Sequence, residues 1–314
     1  MINRRHIRLK VLQSIYAYFT SNEKDLAIAQ KQMLKQIGSI SSLYFLLLSI
    51  PIALTRFSKV FFDEQKNKHF ATEEDKSPNE NFTNNLIVKR IAEDEVLIRR
   101  INKASGVWLN SEYNFIRKLF VKIWGSDLYK NYIATKETNF NKDKELFLNI
   151  FDNFIVDDEL LHHILEEESI YWLDDLPFVA SIVFYQIKVA KEDKIFFNQT
   201  VVFKNKEDKA FAKKLFNNTI IHHKEFEKII SKKAKNWDLE RIALMDQILI
   251  MMALCELIYF NEIPIKVSLN EYIEVAKYYS TKKSKSFING ILDKVVAEFK
   301  ESGKIRKIGR GLIE

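Results

Sequence analysis

Apolar positions recur at helical spacing along most of this chain, and nowhere does a sustained apolar–polar alternation suggest strands. Over residues 7–19, Ile7, Val11, Ile15 and Tyr18 share one face of an amphipathic helix, with Arg5, Leu12 and Tyr16 on an adjoining flank. Residues 37–62 are almost continuously apolar around the patch LYFLLLSIPIAL. That patch falls short of the roughly 18–20 apolar residues needed to span a bilayer. It contains Ser49 and Pro51 and is followed by Arg56 and Lys59, so a buried helix kinked at Pro51 is expected and no membrane association. Residues 63–85 are polar, hold Ser77 and Pro78, and predict a mobile loop or linker. Helices are then expected over 86–102, 113–124, 142–155, 158–168, 177–191 and 206–235, with no internal repeat. Asp238 is placed to cap a further helix, with Arg241 and Asp246 on its early turns. Residues 248–260 are apolar on nearly every side, the mark of a helix surrounded by others. Glu256 lies inside that run and needs a partner, for which a structural ion pair or hydrogen bond is the simplest candidate.

The stretch IPIKVSLNEYIEVAKYYSTKKSKSFINGILDKV, residues 263–295, reads as two helices joined by a basic turn. Ser268 with Glu271 has the spacing of a capping box, and Leu269, Ile273 and Ala276 would line one face of the first helix. Tyr279, Ser280, Thr281, Lys282 and Lys283 break the period. Ser284 is placed to cap the second helix, whose core face is Ile288, Ile291, Leu292, Val295 and Phe299. Phe287 lies about 90° from that face. Gly290 sits inside the helix, at a cost of about 1 kcal/mol relative to Ala, which suggests that something approaches the backbone there. The pattern alone allows Phe287 to pack on a neighbouring helix or to offer an exposed ring beside lysines, as single-stranded nucleic acid requires. Tyr16, off the core stripe and beside an arginine, is open to the same two readings.

Composition narrows the class. With 7 Gly and 4 Pro in 314 residues, and 47% hydrophobic content, an all-α protein with a substantial core is expected. One cysteine, Cys255, excludes an internal disulfide and favours a reducing, cytoplasmic setting; the opening MINRRHIRLK does not read as a secretory signal. The formal charge of +7 is uneven: residues 1–10 carry +4 and residues 282–314 carry +5, leaving −2 for everything between. If the two ends meet, they form one patch suited to polyphosphate; otherwise they are two solvated tails.

Evidence for catalysis is thin. Asp158 with His162, and Glu159 with His163, have a spacing that could share a metal, but no facing helix supplies the matching Glu-x-x-His signature. A charge-laced helix face is the plainer account. The doublet His222 and His223 lacks even that arrangement. No Gly-rich phosphate loop, nucleophile elbow or Cys-x-x-Cys occurs, so no cofactor and no enzyme activity are expected.

The blocks PIKVSLNEYIEVAK and SKSFINGILDK, together with the opening RRHIRLKVLQSIYAY, resemble the NusB transcription antitermination factors over roughly the first 20 and about 60 C-terminal residues. The resemblance implies an all-helical, non-catalytic protein that pairs with the ribosomal protein NusE. The pair would bind boxA RNA and join the complex that makes RNA polymerase resist termination in ribosomal RNA operons. Carried over by position, Arg4, Arg5 and Arg8 would contact phosphates, and Tyr16 and Phe287 would contact bases, with Ser286 and Asn289 beside them. Asp246 would face NusE. Lys282, Lys283 and Lys285 belong to the same RNA-facing stretch, although the family's turn is usually acidic where Lys282 and Lys283 stand. The expected organisation is a basic arm and first helix (1–20), an expanded helical region (21–235), a NusB-like core (236–300) and a basic tail (301–314). A helical interaction scaffold with weakened RNA binding is the alternative.

Overall fold

A computed structural model describes residues 2–22, 24–109, 114–135, 137–192, 202–234 and 242–312. Among these the protein is all-α, without a β-strand, as the pattern predicts. In chain order the helices are α1 (Arg4–Thr20), α2 (Leu26–Lys66), α3 (Glu73–Lys76), α4 (Leu86–Glu93), α5 (Glu95–Ala104), α6 (Phe115–Trp124), α7 (Asp127–Ile133) and α8 (Phe140–Ile150). There follow α9 (Glu159–Glu168), α10 (Trp172–Val189), α11 (Lys206–Ile221), α12 (His223–Lys233), α13 (Leu244–Tyr259), α14 (Ile265–Tyr279) and α15 (Lys282–Glu301). The helix expected over 206–235 is broken at His222 into α11 and α12. Asp238 and Arg241 lie outside the described residues.

The chain divides into two compact units, one made of Met1–Ile37 with Val202–Glu314 and the other of Gly38–Val201. The first joins both ends of the sequence. In it α1 packs against α11, α13 and α14, while α13 is also covered by α12 and α15. Residues from Ile248 through Leu257 are all buried, so α13 is the surrounded helix that its composition predicts. Ile2, in the basic arm that leads into the first helix, is buried too, and its N–H donates to the Val202 carbonyl at 3.2 Å. Asn3 caps α1 through its side chain, so Arg4 and Arg5 form the helix's first turn.

The second unit takes in α2 from Gly38 onward, and Pro51 sits inside that continuous helix. It is long and apolar enough to cross a membrane, yet 72% of its most apolar window is buried within the fold, as in a core helix. Ser49 in that helix accepts a hydrogen bond from the Trp108 indole at 2.6 Å. The polar stretch 63–85 takes more structure than its composition suggests. It contains the end of α2 and the short α3, whose Thr72 and Asp75 make a capping box. The Asn79 and Asn81 side-chain amides donate to the carbonyls of Ile133 and Thr135, while Phe82 and Asn85 are fully buried. The acid–histidine pairs are engaged locally: Asp158 caps α9, His162 meets the Val156 carbonyl, and His163 lies 3.5 Å from Glu167.

Candidate nucleic-acid interface

Three contacts set α1 beside α14. Arg5 donates twice to Glu271, at 2.8 and 3.0 Å. Arg8 also approaches Glu271, at 3.5 Å, and the Gln13 amide donates to the Tyr279 hydroxyl at 3.0 Å. Rising numbers on one helix meet rising numbers on the other, so the two run parallel. Helix α14 starts at Ile265 after Pro264, three residues before the capping box that Ser268 and Glu271 suggested. Ser268 is instead buried, and its hydroxyl donates to Glu256 at 2.8 Å. The buried face of α14 is accordingly Ser268, Tyr272, Val275 and Ala276 rather than one led by Leu269 and Ile273.

Glu256 is the centre of this arrangement. Its two carboxylate oxygens accept from Arg8 at 2.7 and 2.8 Å, from Ser268, and from the Tyr272 hydroxyl at 3.0 Å. Arg8 is 3% exposed and Glu256 fully buried. Burial alone would pull the Arg8 guanidinium below its ordinary pKa, but the Glu256 charge and hydrogen bonds more than offset this and raise it. Burial, then the same carboxylate, holds the Tyr272 phenol well above its usual range. The buried acid thus has the structural partner its position demanded.

This geometry revises the basic arm. Arg8, expected to touch phosphate, is sealed inside the fold, where its charge is taken up by Glu256; Lys10 is buried as well. Arg4 and Arg5 remain about half exposed but are paired, with Asp208 at 3.1 Å and with Glu271. Asp246 is likewise revised as a partner-facing acid. It is 4% exposed in the first turn of α13, where its carboxylate accepts from Ser280, the residue that ends α14.

The start of α15 is the more open surface. Thr281, not Ser284, caps it, accepting from the Ser284 N–H. Ile288, Ile291, Leu292, Val295 and Phe299 form the buried face as expected. On the other side Lys283 and Ser286 are exposed, Lys285 and Phe287 are half-buried, and Asn289 donates to Asp293 one turn on at 2.9 Å. The side chain of Lys282 lies outside the described residues. A cavity of about 870 Å³ opens between α12 and α15, lined by Phe287, Gly290, Lys232, Lys233 and Lys294. A methyl group added at Gly290 would meet no atom within 4 Å, so the glycine leaves open floor in this cavity instead of admitting a neighbouring backbone. Lys232 and Lys233, which both reach Glu298, escaped the sequence reading; their only signal was a basic pair closing a helix.

Tyr16, 40% exposed, stands one turn beyond Gln13 and so at the α1 end nearest the turn that leads into α15. Arg5 is eleven positions back, roughly 16 Å along the helix. The aromatic and arginine elements therefore occupy opposite ends of the α1–α14 pair.

The arginine end is joined by the tail. Lys307 donates to the Phe260 carbonyl at 3.0 Å, and the Ile308 N–H donates to the Asn261 carbonyl at 3.0 Å. Gly311 lies so close to the Asn261 carbonyl oxygen that a Cβ would come within 2.0 Å of it. Arg310 thereby lines a cavity of about 550 Å³ together with Arg4, Arg5, Arg8 and the acidic Glu262 and Glu271. The two basic ends of the chain do meet.

The NusB family model matches residues 179–297, from α10 into α15. Among curated proteins the chain is 49% identical over 81 residues to a transcription antitermination protein NusB of Chloroherpeton thalassium, covering 26% of this chain and 38% of that one. It is 48% identical over 80 residues to the NusB of Salinibacter ruber, covering 26% and 50%, respectively. The match thus spans half or less of these relatives' length. No solved structure matches the chain. Residues 179–297, which hold the α13–α14 pair and the SKSFINGILDK segment of α15, are thus similar to the NusB family.

Proposed function

We propose that this protein is an RNA-binding transcription antitermination factor that, with NusE, binds boxA-type RNA and helps RNA polymerase resist termination, chiefly in ribosomal RNA operons. The observation that carries this reading is the half-buried Phe287 ring beside the open floor at Gly290, in a cavity bordered by Lys232, Lys233 and Lys294 together with Glu298 and Glu301. A ring at the rim of such a cavity can contact a base, and Lys294, with Lys232 and Lys233 once they exchange Glu298 for phosphate, would attract the backbone that carries it. Lys283, Lys285, Ser286 and Asn289 continue the surface, and Tyr16 lies toward the same end of α1. Arg4 and Arg5 contribute charge after exchanging their carboxylate partners for phosphate. Contact with NusE is part of the proposal, but buried Asp246 is not a residue through which it would be made.

A fluorescence titration of a short boxA-like RNA, with and without NusE, tests this function. Preferential binding over a scrambled RNA is expected, weakening with salt at a log–log slope of about −0.7 per phosphate neutralised. Equal binding of the two RNAs even in the presence of NusE overturns the reading and leaves the helical interaction scaffold.

A further inference from the structure

Beyond the α15 surface, the docked tail builds a second basic feature. Residues 307–312 lie against the loop between α13 and α14, with a hollow on each side. One is the arginine-lined cavity already described; the other, of about 370 Å³, is lined by Lys266, Lys300 and Lys307, with no acidic residue among its described walls. The two adjoin at the start of α14, where Pro264 and Val267 face the first and Ile265 and Lys266 face the second. Both also meet the exposed first turn of α14, which has no side-chain cap and no acid, so its N–H groups add partial positive charge.

The state of the cations distinguishes this strip. Arg4, Arg5 and Arg8 are each held by a carboxylate. Lys266, Lys300 and Arg310 are exposed and make no ion pair among the described residues. A cation without an acid partner binds phosphate with no internal bond to break, and three of them along one strip match a polyanion rather than a single small anion.

We infer that Lys266, Lys300 and Arg310, brought together by the docked tail, form a track for the backbone phosphates of single-stranded RNA. This rests on the RNA-binding reading above and adds to it Lys300 and Arg310, which lie beyond the NusB match ending at residue 297. The track would serve RNA that extends past the bases held at α15.

The test compares the full-length protein with a Lys266→Gln/Lys300→Gln/Arg310→Gln variant and, separately, with Gly311→Ala, which would drive a Cβ into the Asn261 carbonyl and dislodge the tail. A long single-stranded RNA containing a boxA-like core is titrated from 50 to 200 mM salt. The triple variant should lower the magnitude of the log–log slope by about 2, so that the affinity gained on going to low salt falls roughly 16-fold. Gly311→Ala should shift the slope the same way, with circular dichroism and melting confirming that both variants remain folded. An unchanged slope in the folded triple variant, while wild type binds the RNA, overturns the track and leaves the RNA-binding function standing. Failure of wild type to bind any RNA overturns that function and the track together.

Discussion

The guanidinium of Arg8 and the carboxylate of Glu256 meet through two hydrogen bonds of 2.8 and 2.7 Å, joining α1 to α13 across 248 residues of sequence. A pair this deeply buried is costly to break on one side. Arg8→Leu leaves an uncompensated carboxylate and should destabilise the protein by about 3–5 kcal/mol in a denaturant titration. Arg8→Lys should recover only part of that, because a single ammonium cannot reproduce the forked contact.

Phe287 separates binding from stability. Phe287→Ala should weaken RNA binding by about 1–3 kcal/mol if the ring stacks on a base. Melting should change far less, because the core face of α15 lies elsewhere. Equal losses in melting and in RNA affinity would mark the ring as a packing residue.

Gly290→Ala should act in opposite directions on the same two readouts. With no atom within 4 Å of the added methyl group, the helix gains about 0.5–1 kcal/mol from the better helix former. RNA affinity should fall, since the methyl group occupies the floor of the cavity. A melting temperature that rises without loss of RNA binding would place the RNA away from Gly290.

His6 introduces an acid-side dependence. Burial, reinforced by the nearby Lys10 charge, pushes its imidazole down from 6.5 to about 4. Between those values the unfolded chain binds the proton more readily than the folded one. The His6 contribution to stability is therefore full above about pH 6.5 and is lost progressively toward pH 4. His6→Gln should flatten that part of a stability-against-pH curve measured by denaturant unfolding.

Cys255 should be inert to thiol reagents in the native protein. It is fully buried, and burial pushes its thiol up to about 12. Labelling with a chromogenic disulfide should thus proceed only as fast as the protein opens, and rapid labelling of folded protein would contradict the packing around α13.

Local periodicity identified the buried face of α15 and the enclosed character of α13, because both depend on residues close together in the chain. Caps were less legible: Thr281 and Ser284 are each suitable, and Ser268 has capping-box spacing yet is drawn inward by Glu256. Arg8 shows the main limit. Its type and position suit an RNA-binding arm, and only the approach of α13 turns it into a core residue. Conversely, the pairing of the two basic ends was suggested by charge alone, while the means of joining them depends on the space at Gly311 that the letters do not reveal.

The bond between Arg8 and Glu256 also sets an order of events during synthesis. At about 5–20 residues per second, Arg8 is incorporated roughly 12–50 s before its carboxylate partner has been made. During that interval the whole of Gly38–Val201 is translated and can fold as a unit, while the helix that will lie at the heart of the other unit has no charge to receive its arginine. A nascent chain stalled short of α13 should therefore hold all of Gly38–Val201 while Arg8 still lacks the carboxylate that buries its charge.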